Sequence, residues 1–188
     1  MTSRFNSIKN SIINNAQYIH SPNYDLRPVN TEIDLLVIHG ISLPPGEFNR
    51  NSGKYITDLF TNKLNPNAHP SFKEIYELKV SCHCLIRRNG KLIQYVPFKY
   101  RAWHAGNSCF NGRTNCNDFS IGIELEGTDN TPYTEQQYKI LSTVIKLICS
   151  VYKKITVDNI VGHSNIAPGR KTDPGDSFDW GKLHQMIK

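Results

Sequence analysis

The sequence contains no apolar run that approaches the ~20 residues needed to span a bilayer. Residues 1–20 are polar and rich in asparagine, and they lack both the apolar core and the small-residue cleavage site of a secretory signal. Only five cysteines occur, none in a Cys-x-x-Cys pair. An odd number of cysteines without an export signal favours a reducing compartment over a disulfide framework. We therefore expect a cytoplasmic protein without a membrane partner.

Runs of positive charge are also absent, although the 188-residue chain has a net charge of +6. Its 22 lysines and arginines are scattered, with no five in succession. A basic surface attracts anionic partners, but no nucleic-acid-binding motif accompanies this charge. We expect no nucleic-acid partner. The charge indicates either a solvated basic surface or attraction toward a carboxylate-bearing substrate.

No repeat, low-complexity tract or linker divides the chain, which is long enough for one well-packed domain. Hydrophobic patterning predicts a buried strand at 33–38, a hairpin at 83–96, a half-buried strand at 119–126 and a short strand at 159–162. The Asn89-Gly90 pair in the hairpin predicts a type I′ turn.

Helical signals lie between and after these strands. Short helices are predicted at 54–62 and 71–78, and a long amphipathic helix follows a capping box formed by Thr134 and Gln137. A final helix is expected to begin after a cap at Ser177 or Asp179. This order predicts the α/β (α+β) class, as a single domain with a central mixed β-sheet flanked by helices.

Two histidines share a sequence context that indicates a metal site. His39 and His163 each end a short apolar strand before a loop rich in glycine and proline, and Asp173 follows ten residues after His163. The ends of neighbouring strands meet at one edge of a sheet. Two imidazoles and a carboxylate leave a fourth tetrahedral position open, as in catalytic zinc sites. The alternative is two satisfied strand-end histidines and an aspartate that belongs to a turn.

The stretch Cys82-His83-Cys84 has metal-binding residue types in an unsuitable arrangement. In a strand the two cysteines point to one face and His83 to the other, so one ion cannot collect all three side chains. We interpret the cysteines as small buried hydrophobes with free thiols.

Glu124 and Glu126 are candidates for acid–base chemistry because they share one face of the predicted strand at 119–126. A carboxyl group among apolar neighbours has a raised pKa, as a general base at neutral pH requires. The alternative is a solvent-facing pair on an edge strand.

Further candidates lie in two loops. Arg170 and Lys171 are either exposed cations or groups that stabilise an oxyanion and hold a substrate carboxylate. Trp103 and His104 form part of either a substrate wall or the local core.

Six ordered stretches resemble the zinc-dependent N-acetylmuramoyl-L-alanine amidases of the peptidoglycan-recognition-protein fold. They are SPNYDLRP, LLVIHGISLPPGEF, HCLIRRNGKLIQYVPF, RAWHAG, CNDFSIGIELEGT and GHSNIAPGRKTDPG. The likeness is greatest to the cytoplasmic branch that acts on 1,6-anhydromuropeptides in cell-wall recycling. It runs over residues 19–188 as the amidase domain and leaves residues 1–18 as an N-terminal extension. Three departures are Gly40 in place of asparagine, Asn115 in place of a second arginine, and Ser164-Asn165 in place of Cys-Asp.

The resemblance implies one Zn²⁺ per chain and hydrolysis of the amide between the lactyl group of (1,6-anhydro-)N-acetylmuramic acid and L-alanine. It places zinc on His39, His163 and Asp173, with Glu124 as acid/base and Lys171 as the polarising cation. The residues expected to contact the muropeptide or anhydromuropeptide substrate are Arg170, Arg113, Trp103, His104 and Gly40. We expect a monomer. The alternatives are a peptidoglycan-binding module without turnover and an exported amidase that acts on polymeric peptidoglycan.

Overall fold

The structure is a computed structural model that describes residues 5–49 and 51–188. Its strands are β1 (Ile8–Lys9), β2 (Ile12–Ile13), β3 (Gln17–Tyr18), β4 (Tyr24–Asp25), β5 (Leu35–Ile41), β6 (Cys84–Ile86), β7 (Leu92–Gln94), β8 (Arg101–Ala102), β9 (Cys109–Phe110), β10 (Arg113–Thr114), β11 (Ser120–Glu126) and β12 (Ile160–Gly162). Its α-helices are α1 (Ser52–Phe60), α2 (Glu135–Val151), α3 (His163–Ile166) and α4 (Trp180–Ile187). Short 3₁₀ helices cover Pro70–Glu74, Cys116–Asp118 and Val157–Asn159. Within these residues no helix is both long and apolar enough to cross a membrane.

Six strands form one central sheet in the order β12-β5-β11-β6-β7-β3. The first four are parallel, β7 runs antiparallel to β6, and β3 is parallel to β7. This confirms the predicted single domain with a mixed sheet. Three two-stranded pairs, β1-β2, β4-β8 and β9-β10, lie outside the central sheet.

The core divides between the two faces of the sheet. Leu36 and Ile123 pack with α2 on one face, whereas Leu35 and Val37 pack on the other face against the loop at Ala105. All seven residues of β11 are consequently buried, because this strand lies between β5 and β6 with both faces covered. The prediction of a half-buried strand at 119–126 is therefore wrong.

The strand ends differ from the predictions near both histidines. β5 continues two residues beyond His39, to Ile41, and His163 is the first residue of α3 instead of the last residue of a strand. The predicted helix at 71–78 is a 3₁₀ helix that ends at Glu74. The long helix has the predicted capping box of Thr134 and Gln137, and the last helix is capped by Asp179.

The hairpin forms as predicted, but its turn is of another type. Gly90 N–H donates to the carbonyl of Arg87 at 2.8 Å, and Gly90 has a φ of 78° while Asn89 stays outside the positive-φ region. A type I′ turn needs positive φ at both central residues, so that prediction is wrong. The arrangement is a three-residue loop in which glycine occupies the single left-handed position.

Residues 5–18 pack against the same sheet. Phe5 and Ile13 are buried in the core beside α2, and β3 pairs with β7 at the edge of the sheet. The Ile13 amide also donates to the buried side chain of Gln94 at 2.8 Å.

Candidate metal centre

Three polar atoms converge at the ends of β5 and β12. His39 Nδ1 lies 3.0 Å from His163 Nδ1, and Asp173 Oδ2 lies 3.2 Å from the first and 3.1 Å from the second. His39 reaches this point from β5, His163 from the start of α3, and Asp173 from the loop after α3. The sequence spacing did not require this contact; the parallel pairing of β12 with β5 produces it.

The three atoms His39 Nδ1, His163 Nδ1 and Asp173 Oδ2 form a nearly equilateral triangle, which fits one face of a tetrahedral metal site. Bond lengths of about 2.0–2.1 Å from zinc to nitrogen or oxygen separate tetrahedral ligand atoms by about 3.3 Å. The observed separations of 3.0–3.2 Å are close to that value. Two imidazole nitrogens and a carboxylate oxygen that converge on one point can hold a cation between them. Among the described residues this is the one such group of potential ligands.

The ionisation of these groups suits metal binding. Burial lowers the pKa of His39 to about 4, against the opposing effect of Asp173, so that the ring is neutral at pH 7. Burial would raise the pKa of Asp173, but hydrogen bonds from His163 and His39 outweigh it and hold that pKa below its usual range. Neutral imidazole and ionised carboxylate are the forms that bind metals.

Glu124 lies beside this group. It pairs with His39 across β11 and β5 and is only 9% exposed. Its Oε2 atom is buried without a hydrogen-bond partner. Burial raises the pKa of Glu124 well above its ordinary value, the nearby Asp173 adds to this, and Lys171 opposes it. An unpaired buried carboxyl group of this kind is expected at a functional site rather than in a purely structural core.

A cavity of about 220 Å³ opens onto the three ligand atoms. His39, His163 and Asp173 line it together with Glu124 and Lys171. The apolar part of its lining consists of Ile41, Leu59, Phe60, Leu78 and Val80. The site thus combines a candidate metal position, a carboxyl group of raised pKa, a cation and an apolar surface.

Comparison with known proteins agrees with this chemistry. The family model of N-acetylmuramoyl-L-alanine amidase matches residues 29–176. The chain belongs to this amidase family. It is 54% identical to the 1,6-anhydro-N-acetylmuramyl-L-alanine amidase AmpD of Enterobacter cloacae, over 96% of this chain and 94% of that protein.

Solved structures give the same assignment. A crystal structure of an AmpD derivative superposes with a TM-score of 0.92 at 51% identity and covers 96% of this chain and 99% of that one. The Escherichia coli amidase AmiD, in complex with the substrate anhydro-N-acetylmuramic acid-L-Ala-D-gamma-Glu-L-Lys, superposes with a TM-score of 0.59 at 30% identity. That match covers 85% of this chain and 60% of the AmiD chain.

Three of the predicted substrate contacts of this amidase line the cavity: Gly40, Trp103 and His104. Arg170 lines the adjoining space, but its guanidinium donates to the carbonyls of Ala105 and Asn107 at 2.6–3.1 Å.

The structure does not bring Arg113 to this cavity. Its Nη1 donates to Asp34 Oδ2 at 2.5 Å, and its guanidinium lies 3.7 Å from the centre of the Phe119 ring.

Glu126 has a structural environment in this amidase. Its carboxylate accepts hydrogen bonds from Arg87, the Ser52 hydroxyl and the Arg88 amide, and only 1% of the residue is exposed. The alternative of a solvent-facing glutamate pair on an edge strand is therefore wrong. Glu124 and Glu126 share one face of β11, but only Glu124 has a buried carboxyl oxygen without a hydrogen-bond partner.

Sequence reasoning overlooked Tyr133, whose hydroxyl donates to the carbonyl of Pro174 at 2.9 Å. A Cβ atom on Gly40 would lie 2.5 Å from that hydroxyl, so glycine at position 40 leaves the room that Tyr133 occupies. The buried Cys82 and His83 bind neighbouring backbone groups instead of sharing an ion.

Proposed function

We propose that this amidase hydrolyses the amide bond between the lactyl group of 1,6-anhydro-N-acetylmuramic acid and the L-alanine of muropeptides, in peptidoglycan recycling. One observation carries the proposal: His39, His163 and Asp173 present three ligand atoms within 3.2 Å of one another, beside the unpaired carboxyl group of Glu124. The 54% identity to AmpD over nearly the whole length of both chains supports the choice of substrate.

The metal proposed for this site is zinc, one ion per chain. Two imidazole nitrogens and one carboxylate oxygen are ligands that zinc accepts, and three protein ligands leave a position open for water or substrate, as in catalytic sites. When bound, zinc supplies a Lewis acid that polarises the scissile carbonyl and makes water a nucleophile at neutral pH.

Glu124 acts as the proton carrier in the proposed mechanism. Its raised pKa makes the carboxylate a stronger base, which accepts a proton from the attacking water and then donates it to the departing alanine nitrogen. Its register position beside His39 on the neighbouring strand keeps Glu124 in the lining of the cavity through both transfers.

Lys171 stabilises the negative charge that develops on the carbonyl oxygen. Its side chain lines the cavity beside Asp173, and none of the described carboxylates forms an ion pair with it. A donor of this kind contributes roughly 3–4 kcal/mol to transition-state stabilisation.

The remaining contacts serve substrate placement. Trp103, His104 and Gly40 contact the bound muropeptide inside the cavity, and Arg170 binds a carboxylate of the stem peptide. Arg113, at a distance from the cavity, contacts a more remote part of the same peptide. We assign these functions to a monomeric cytoplasmic protein with residues 19–188 as the amidase domain.

Replacing Glu124 tests the proposal. Glu124→Gln should retain one zinc per chain, measured by elemental analysis, while the hydrolysis of anhydromuropeptide falls about 10²–10⁴-fold because the proton carrier is lost. Glu126→Gln is the matched control on the same face of β11, and it should keep both zinc and turnover. Undiminished hydrolysis by Glu124→Gln would refute the assignment of the proton carrier.

A further inference from the structure

The imidazole of His104 lies behind His39, on the side away from the candidate metal position. His39 Nε2 is 2.9 Å from His104 Nδ1, and His104 Nε2 is 3.2 Å from the Ser120 hydroxyl. The two rings meet edge to face, with centroids 5.0 Å apart and planes at 83°. The three side chains therefore form a row that leads away from the metal site into the sheet.

The direction of each hydrogen bond in this row follows from the site itself. His39 turns Nδ1 toward His163 and Asp173, so its ring proton lies on Nε2 when Nδ1 binds a metal. His104 Nδ1 must then accept a hydrogen bond from His39 Nε2–H. The ring proton of His104 therefore lies on Nε2, which donates to Ser120 Oγ. Both nitrogens of His104 are thereby used within the protein, which leaves only ring carbons for contact with a substrate.

The residue after His104 performs the equivalent task for the other histidine. The carbonyl of Ala105 lies 3.2 Å from His163 Nε2. The adjacent residues His104 and Ala105 thus supply one acceptor to each histidine of the metal site, the first from a side chain and the second from the backbone.

One amide side chain holds this pair in place. Asn117 Oδ1 accepts from the backbone N–H groups of both His104 and Ala105, at 3.1 Å and 2.8 Å. The sheet below also leaves room for the imidazole, since a Cβ atom on Gly122 would lie 2.5 Å from Cγ of His104. The position of His104 is therefore fixed from its backbone and from beneath its ring.

We propose that His104 is a positioning residue for the metal site: its Nδ1 accepts a hydrogen bond from His39 Nε2–H and so fixes the tautomer and ring orientation that present His39 Nδ1 to the ion. This inference rests on the proposed function in requiring a metal at His39, His163 and Asp173. Outer partners of metal-binding histidines generally contribute 10–100-fold to metal affinity.

Two substitutions separate the hydrogen bond from the bulk of the ring. His104→Asn keeps an acceptor near the place of Nδ1, whereas His104→Phe fills the space without any acceptor. We expect His104→Phe to raise the zinc dissociation constant about 10–100-fold and His104→Asn to recover most of the affinity. The measurement is competition with a chromophoric chelator, and the absorption spectrum of the Co²⁺-substituted protein reports the ligand geometry.

His83→Phe provides the matched control. His83 is fully buried with its ring 5.7 Å from that of His104. Its ring nitrogens bond to the backbone at Gly122 and Tyr100, its Nε2 lies 3.3 Å from Arg27 Nη2, and none of its hydrogen bonds involves the ligand residues His39, His163 and Asp173. It should lower the unfolding temperature of the metal-free protein while leaving the zinc affinity close to that of the wild type.

The outcomes distinguish this inference from the proposed function. Equal zinc affinities of wild type and His104→Phe, or equal losses in the Asn and Phe variants, would overturn the positioning role. Wild-type protein that binds zinc without hydrolysing anhydromuropeptide would overturn the proposed function alone. A wild-type chain that binds no zinc would overturn both.

Discussion

The hydroxyl of Tyr133 provides a sharp test of how the fold holds the third ligand residue, Asp173. It donates to the carbonyl of Pro174, the next residue in the chain, at 2.9 Å. Tyr133 is 6% exposed, so Tyr133→Phe leaves a buried carbonyl without its partner while the ring keeps its packing against Phe178. The change therefore removes one hydrogen bond next to a metal ligand and little else.

The expected magnitude follows from that one bond. A buried polar group left unpaired costs about 1–3 kcal/mol, which lowers the unfolding temperature of a chain of this size by about 2–4 °C per kcal/mol. If zinc must restore the position of Asp173, that free energy also weakens zinc binding, by about tenfold for every 1.4 kcal/mol. We thus expect a lower unfolding temperature of the metal-free protein together with a zinc dissociation constant raised about tenfold.

Tyr138→Phe is the appropriate control. Tyr138 is 3% exposed, packs against the same Phe178 ring, and also makes one backbone hydrogen bond, in which it accepts from the Asp179 amide at 2.7 Å. Because that bond is made to Asp179, the N-cap residue of α4, and not to a residue next to Asp173, this variant should lose stability without losing zinc affinity. Equal zinc affinities of the two variants would refute the view that Tyr133 steadies Asp173.

Three further predictions concern the site and the stability of the fold. His163→Ala should lose both zinc and hydrolysis, as seen by elemental analysis and product release; retention of both would remove it from the ligand set. In metal-free protein, the raised pKa of Glu124 keeps this group protonated in the fold at pH values where the unfolded chain ionises it, so the fold loses stability as pH rises above the ordinary glutamate pKa. Glu124→Gln removes this loss and should increase the free energy of unfolding at pH 7, measured by denaturant titration. Burial would raise the pKa of Glu126, but hydrogen bonds from Arg87 and Ser52 lower it. The ionised Glu126 therefore stabilises the fold at pH values above the ordinary glutamate pKa, and this stabilisation is lost as pH falls through the lowered pKa of the folded state. Arg87→Met, which strands that buried charge, should cost about 3–5 kcal/mol at pH 7, and a loss below 1 kcal/mol in urea titrations would contradict this.

Local sequence signals predicted the features that depend on neighbouring residues. The capping box of Thr134 and Gln137 is confirmed because both partners lie within one helical turn. The cap at Asp179 is confirmed for the same reason. The prediction of a type I′ turn is wrong because the pair Asn89-Gly90 suits two kinds of loop, and the pairing of β6 with β7 selects the longer one.

Features set by distant parts of the chain were beyond the sequence pattern. The burial of Glu126 depends on Arg87, 39 residues away, and the contact of His39 with His163 depends on the pairing of β12 with β5. Alternation along β11 placed Glu124 and Glu126 on one face correctly, but it could not show which of the two would lack a partner. That difference arises from α1 and the hairpin, which supply partners only to Glu126.

The arginine predictions show the same limit. A cation in a loop is equally suited to bind a substrate or to hold the backbone, and sequence does not distinguish the two. In the structure Arg170 donates to the loop at Ala105 and Asn107, and Arg113 pairs with Asp34. Their proposed contacts with substrate must therefore use the N–H groups that these bonds leave free.

The most direct test of the central claim is product analysis by mass spectrometry. Protein loaded with one equivalent of zinc is incubated separately with purified 1,6-anhydromuropeptide and with intact sacculi. The proposed function predicts cleavage of the soluble substrate into anhydro-N-acetylmuramic acid and a free stem peptide that begins with L-alanine. Unchanged anhydromuropeptide in the presence of bound zinc, or peptide release from sacculi alone, would contradict it.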